Sequence, residues 1–145
     1  MQILVKINSL DNPLLDLIKD DPVRPEIPKE KRVSSNSEIL ILKKDENISA
    51  IVCVSYHDTV PSTIDELFAS VSNPTVAVFY TIWSYVAGAG RDLIFEASKY
   101  IKEEKPSVQR FVTYSPKTEL ARKFHLKNGA LIYRENIDSI NYEYN

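Results

Sequence analysis

The sequence predicts an α/β domain: a mixed sheet, antiparallel first and parallel further on, with helices on both faces. Three observations carry that prediction. Short β-rich runs alternate with segments whose apolar residues recur at helical spacing. Two early runs are joined by a short polar connection, a hairpin signal, while later runs are separated by whole helices, as in parallel strand-helix-strand units. At 145 residues the chain suits a single domain, 1–145, large enough to bury about two-thirds of its unfolded surface without disulfides or metals.

Taken in order, Ile3 to Ile7 is a short β-rich run. From Asn8 to Lys19, Leu10, Leu14, Leu15, Leu17 and Ile18 fall at spacings that suit a helix, and Asp11-Asn12-Pro13 offers its cap and first turn. Asp20 to Arg32 sets Pro22, Pro25 and Pro28 at every third position among dense charge. Regular structure is disfavoured there, so an extended arm is expected, either a plain surface connection or a lid over a site. Ser37 to Lys43 and Ile48 to Tyr56 flank Lys44-Asp45-Glu46-Asn47, a hairpin with a four-residue connection. The second run is apolar at nearly every position to Val54, as in a central strand covered on both faces.

His57 to Pro61 breaks that strand, and His57 is expected to be exposed. Ser62-Thr63-Ile64-Asp65 has the form of a capping box for a helix carrying Ile64, Leu67, Phe68 and Val71, stopped by Asn73-Pro74. Val76 to Trp83 is a strand, and a glycine turn leads from it into a helix from about Ala89 to Glu104. Lys105-Pro106 ends that helix, and Val108 to Tyr114 is the next strand. Ser115-Pro116 is expected to open a further helix, with its cap at Ser115 and proline at the first position. Asn128-Gly129 closes it as a left-handed C-cap, and Ala130 to Tyr144 supplies one or two final strands.

Eighteen basic and twenty acidic residues give no bulk positive field, which argues against a nucleic-acid partner. The single cysteine, Cys53, lies in an apolar run and reads as a small buried hydrophobe, since alone it forms neither an internal disulfide nor a zinc site. His57 and His125 have no clear carboxylate partner, so no metal is expected. No apolar run reaches the ~20 residues of a membrane span, and the N-terminus MQILVKINSL is too short and polar for a signal peptide. The expectation is a cytoplasmic protein without a membrane partner.

Function is concentrated in Phe79 to Leu93, FYTIWSYVAGAGRDL, which holds two of the chain's three glycines. A glycine turn at a helix start lets an anion such as a diphosphate approach several N–H groups, and the helix N-terminus adds favourable partial charge. Arg91 is placed to reinforce anion binding. A turn that merely packs strand against helix is the alternative. Tyr85-Val86-Ala87-Gly88-Ala89-Gly90 resembles the coenzyme A motif of the GCN5-related N-acetyltransferase (GNAT) superfamily, Gln/Arg-x-x-Gly-x-Gly/Ala, with Tyr85 in the first position. The resemblance implies an acyl-CoA N-acyltransferase fold, with Tyr85, Ala87, Gly88, Ala89, Gly90 and Arg91 as coenzyme A contacts. Downstream, Ala121 to Ala130 resembles the superfamily's Ala-x-x-x-Tyr-x-x-x-Gly-Phe helix. His125 stands where that family's tyrosine protonates the departing thiolate, and imidazole is able to donate or accept near neutral pH.

From about Ile48 onward the chain also resembles a shortened catalytic domain of malonyl-CoA decarboxylase, a relative within that superfamily. The shared strings are Phe79-Tyr80-Thr81-Ile82, Leu93-Ile94, Phe111 to Pro116, Phe124 to Ala130 and Asn141 to Tyr144. That resemblance implies Ser115 and His125 as a catalytic pair. No counterpart of the family's separate helical domain is expected within these 145 residues, and Arg134 to Ile140 shortens its last insertion.

The implied function is direct transfer of an acyl group from acyl-CoA (acetyl-CoA or malonyl-CoA) to an acceptor, a small-molecule or protein amine, with no metal. The thioester would lie between the Val76 to Trp83 and Val108 to Tyr114 strands, where unpaired backbone groups polarise its carbonyl. Two alternatives stand beside it: malonyl-CoA decarboxylation, with Ser115 and His125 orienting the carboxylate and delivering a proton, and a non-catalytic binding module. Asp58 and His57 are outlying candidates for the base, and Ser115 has a structural alternative as a helix cap.

Overall fold

The computed structural model describes residues 1–145. Seven strands form one sheet: β1 (Gln2–Ile7), β2 (Ser37–Lys44), β3 (Asn47–His57), β4 (Val76–Ser84), β5 (Arg110–Thr113), β6 (Leu131–Glu135) and β7 (Ile140–Tyr144). Their order across the sheet is β1-β2-β3-β4-β5-β7-β6. Only β4 and β5 are parallel; every other neighbouring pair is antiparallel. Three α-helices accompany them: α1 (Lys29–Arg32), α2 (Ala89–Glu104) and α3 (Glu119–Lys127). The α/β class, the mixed sheet and the helical cover on both faces agree with the expectation. No helix is long and apolar enough to cross a membrane.

Alternation along the strands divides the interior into two layers. Leu40, Leu42, Val52, Val54, Ala77 and Phe79 face α2, whose Leu93, Ile94, Ala97 and Ile101 are buried against them. Ile39, Ile41, Ile51, Cys53, Val78 and Tyr80 face the other way, toward Leu15, Ile27, Val33 and Leu67 from the 3-10 turns and the arm. The central strands therefore read as continuous apolar runs because both of their faces are covered. Cys53 is fully buried, and its desolvation pushes the thiol up to about 11.

Several elements differ from expectation. The hairpin connection is two residues, since Lys44 and Asn47 still pair; Asp45 takes φ 56° there, a left-handed conformation that aspartate tolerates. The predicted helices at Asn8 to Lys19 and Ile64 to Val71 shrink to 3-10 segments, Pro13–Asp20 and Asp65–Phe68. Asn12 caps the first by accepting from the Leu14 N–H at 2.9 Å. Near the second, Glu66 rather than Asp65 accepts from the Ser62 N–H, so the capping box lacks its expected register. Ser115 is not a helix cap. The cap of α3 is Thr118, whose side chain accepts from the Ala121 N–H, while Ser115 forms a backbone bridge to Ile140.

The arm from Asp20 to Arg32 is more than a surface connection. Its two ends meet in a fully buried ion pair, Arg32 Nη1 to Asp21 Oδ2 at 2.7 Å. The remaining capacity of each group is satisfied. Asp21 also accepts from the N–H groups of Val23 and Arg24 and from Thr81 Oγ1; Arg32 donates to the carbonyls of Ile27 and Arg24 and approaches Cys53 Sγ. Buried charges are tolerated only when paired and hydrogen-bonded in this way.

Replacing Arg32 by Met leaves Asp21 buried without its cation, and is expected to cost about 3–5 kcal/mol of stability in urea denaturation; a loss below about 1 kcal/mol would contradict the role given to the pair. A second expectation concerns Gly90, where an added Cβ would stand 3.0 Å from Phe124 Cε1. The Phe124 ring must give way to that Cβ, so Gly90→Ala should show a coupling to Phe124→Leu of at least about 0.5 kcal/mol in a double-mutant cycle.

Candidate active site

The sheet opens where its one parallel pair stops. β5 ends at Thr113, opposite Phe79, and the last bond across is Tyr114 N–H to the Phe79 carbonyl at 3.1 Å. β4 continues to Ser84 with no strand on that side. A bulge falls at the same point: Cys53 pairs with Thr81 but Val54 with Phe79, so β4 carries one extra residue. Tyr80 and Thr81 consequently both point to the arm side, Tyr80 into the core and Thr81 Oγ1 to Asp21 at 2.8 Å.

A cavity of about 360 Å³ occupies the opening. Phe79 to Ser84 of β4 form one wall, Gly90, Phe124 and His125 another, Ser115 and Pro116 adjoin it just past the end of β5, and Pro22 and Val23 bring the arm over it. No acidic, lysine or arginine side chain lines it. Two wider surface grooves, of about 540 and 590 Å³, lie along α2 and the arm, but neither contains Ser115, His125 or the glycine turn.

His125 reaches the cavity from the last full turn of α3, which Gly129 closes in the left-handed region at φ 99°. The imidazole is buried, stacked on Tyr142 with centroids 5.0 Å apart and met edge-on by Phe124 and Tyr144. Its Nδ1 lies 2.6 Å from the Tyr144 hydroxyl. Burial, with no nearby charge to oppose it, pushes the imidazole down to about 4, so near neutral pH the ring is uncharged and an imidazolium acid is not available. Ser115 lines the same cavity but makes no hydrogen bond to His125; its hydroxyl donates to Thr113 Oγ1 at 2.7 Å. The two residues share the cavity, each with a different partner.

The glycine turn divides its work. Gly88 has φ 83° with open space around it, a conformation costly for any other residue. Gly90 instead makes room for the Phe124 ring, so part of the motif serves packing. The N–H of Ala89 turns to the Val86 carbonyl, whereas those of Ala87, Gly88, Gly90 and Arg91 have no acceptor in the chain. Together with the uncapped start of α2, they form a donor set suited to a phosphate. The Tyr85 N–H is not part of it, because it bonds the Ser49 carbonyl at 2.8 Å. The Tyr85 hydroxyl accepts from Trp83 Nε1 and donates to Asp20 Oδ2, fastening the turn to the arm. Arg91 is exposed and lies over the Phe95 ring.

His57 is not exposed as expected. It is buried, within 2.7 Å of Ser55 Oγ, and burial lowers its pKa. Neither it nor the exposed Asp58 lines the cavity. No group of three or more His, Cys, Asp or Glu side chains suited to a metal ion is found. Two contributors escaped the sequence reading, Tyr144 beside His125 and Thr81 under the arm, while Pro22 and Val23 belong to the arm for which a lid was one of the two expectations. The recurrence of Tyr142 and Tyr144 at strand period marked a shared face, but nothing local indicated which histidine it would meet.

No protein-family model matches the chain, and no curated protein does either. Solved structures do. Malonyl-CoA decarboxylase from Agrobacterium vitis is 22% identical at TM-score 0.71, over 85% of this chain and 35% of its own. The enzyme of that name from Cupriavidus metallidurans is 15% identical at TM-score 0.75, over 99% and 60%. The chain thus spans between about a third and three-fifths of these decarboxylases. The Campylobacter jejuni N-acetyltransferase PseH, solved with acetyl coenzyme A, is 18% identical at TM-score 0.66, over 99% of this chain and 97% of its own. With its seven-stranded sheet splayed after one parallel pair, this chain has the GNAT fold.

Proposed function

We propose that this domain binds an acyl-CoA thioester in the opening between β4 and β5 and transfers the acyl group directly to an acceptor. The observation that carries the reading is the cavity itself, which brings the end of β4, the start of α2, Ser115 and His125 to one place. The free N–H groups of Ala87, Gly88, Gly90 and Arg91 would hold the diphosphate. The unpaired side of β4 beyond Phe79 would meet the pantetheine amides and the thioester carbonyl, a preorganised polar surface. Acetyl coenzyme A in the similarly folded PseH supports a ligand of this class.

A second reading, decarboxylation of malonyl-CoA, is favoured by one specific feature. The lining holds no charged side chain, and loss of CO2 from a carboxylate disperses charge, which an uncharged cavity assists by weakening hydration of the ground state. Ser115 and His125 would orient the carboxylate, among a lining that also carries the hydroxyls of Thr81, Ser84 and Thr118. The acyl-transfer reading needs no carboxylate recognition, but its acceptor amine would have to arrive already neutral, because neither Asp58 nor any other carboxylate lines the cavity to deprotonate it.

Calorimetric titration with coenzyme A tests what the two readings share. Saturable binding is expected, and no heat at millimolar ligand would leave only a non-catalytic module. Mass analysis after incubation with malonyl-CoA, or with acetyl-CoA and a panel of amines, separates the readings by product. Acetyl-CoA formed from malonyl-CoA at a rate untouched by His125→Ala would rule out the decarboxylation role given to His125. Stability should also report on this histidine. Its pKa is about 4 in the folded chain against 6.5 for an ordinary histidine, so on acidification the unfolded state takes up the proton first. The contribution is full above about pH 6.5 and lost by about pH 4, a total of ~3 kcal/mol. Urea midpoints across that range should fall less steeply in His125→Gln.

A further inference from the structure

His125 and Tyr144 share one hydrogen bond, and counting hydrogens decides its direction. Nδ1 and the phenol oxygen are 2.6 Å apart, both side chains are buried, and neither atom has another partner in the chain. A neutral imidazole carries one N–H and one bare nitrogen, and a phenol has one O–H. If Nδ1–H donated, the Tyr144 O–H would have no acceptor in the chain, a loss comparable to a broken hydrogen bond. If Tyr144 donates, its proton and the Nδ1 lone pair are both satisfied, and the ring hydrogen must sit on Nε2. Tyr142 beneath the ring and Phe124 at its edge hold the imidazole in place. Nε2 is the nitrogen without a protein partner, on a residue that lines the cavity.

We propose that Tyr144 is a positioning residue: its hydroxyl donates to His125 Nδ1 and holds His125 as the neutral tautomer whose Nε2–H is offered to the cavity. The tautomer follows from this chain alone; its chemical consequence rests on the acyl-CoA reading of the same cavity. A neutral N–H stabilises negative charge developing on a thioester oxygen or a departing sulfur without taking a proton. His125 is thereby a hydrogen-bond donor and not a base, and any proton an acceptor loses goes to solvent.

The test is nitrogen NMR of the full chain labelled with 15N-histidine near neutral pH, the two histidines being told apart by His57→Gln. His125 should show a single form with hydrogen on Nε2 and a hydrogen-bonded Nδ1. In Tyr144→Phe the Nδ1 resonance should move downfield, toward that of an unbonded ring nitrogen. Hydrogen on Nδ1, a mixture of tautomers in the native chain, or an unmoved Nδ1 resonance in Tyr144→Phe would each overturn the assignment. Should Tyr144→Phe fail to fold, the native spectrum alone decides. Adding coenzyme A to the same sample keeps the two questions apart. An Nε2–H tautomer with no response to coenzyme A would end the acyl-CoA reading and leave the tautomer standing, whereas coenzyme A binding beside an Nδ1–H tautomer would sink the tautomer alone.

Discussion

The buried pair of Asp21 and Arg32 is the interaction on which the rest of the site depends. Every donor around the Asp21 carboxylate comes from a different structural demand: two arm N–H groups, the Arg32 guanidinium and the Thr81 hydroxyl of β4. One carboxylate therefore fixes the arm on itself and on the sheet. Such a pair gains little net stability over an apolar replacement, because desolvation offsets most of the attraction. In this arrangement both charges are fully paired and hydrogen-bonded, which ties the position of the arm to that of β4. Pro22 and Val23 follow directly after Asp21, which is why they come to lie over the cavity.

The cavity itself originates in a mismatch of strand lengths. β4 spans nine residues and β5 four, so the parallel pairing runs out while β4 continues. The end of β5 is held by its other neighbour. Thr113 Oγ1 accepts from the Tyr142 N–H and from Ser115, and Asn141 Nδ2 donates to the Thr113 and Pro61 carbonyls. β5 is thus drawn toward β7 as β4 bulges toward the arm. The separation exposes backbone on one strand and brings α3 up to fill the other side, and His125 arrives there as part of that packing.

Much of the architecture was legible from local pattern. The apolar runs of β3 and β4, the boundaries of α2 and the glycine closure of α3 came directly from periodicity and capping chemistry. The errors share a cause. Asn8 to Lys19, Ile64 to Val71 and Ser115-Pro116 each carry genuine helix-start signals, but short segments take the conformation their tertiary contacts require. Ser115 illustrates it: its propensity as a cap is overridden by the backbone bridge to Ile140, and Thr118, three residues on, takes the role. His57 shows the same limit for burial, since a polar string after a strand reads as exposed until another element covers it.

By itself the sequence determined the class of the fold, the order of its main elements, and the turn at Gly88 with its left-handed backbone. These are set by short-range physics, namely alternation, capping and the backbone freedom of glycine, whereas Ser115 and His125 were marked as candidates only by a family resemblance. Only the tertiary structure decided what each of them touches. It assigned Gly90 to Phe124, tied Tyr85 to the arm, separated Ser115 from His125 in hydrogen bonding, and gave His125 its partner in Tyr144. Those contacts join residues far apart in the chain, where burial and hydrogen-bond satisfaction depend on the packing of all the elements at once.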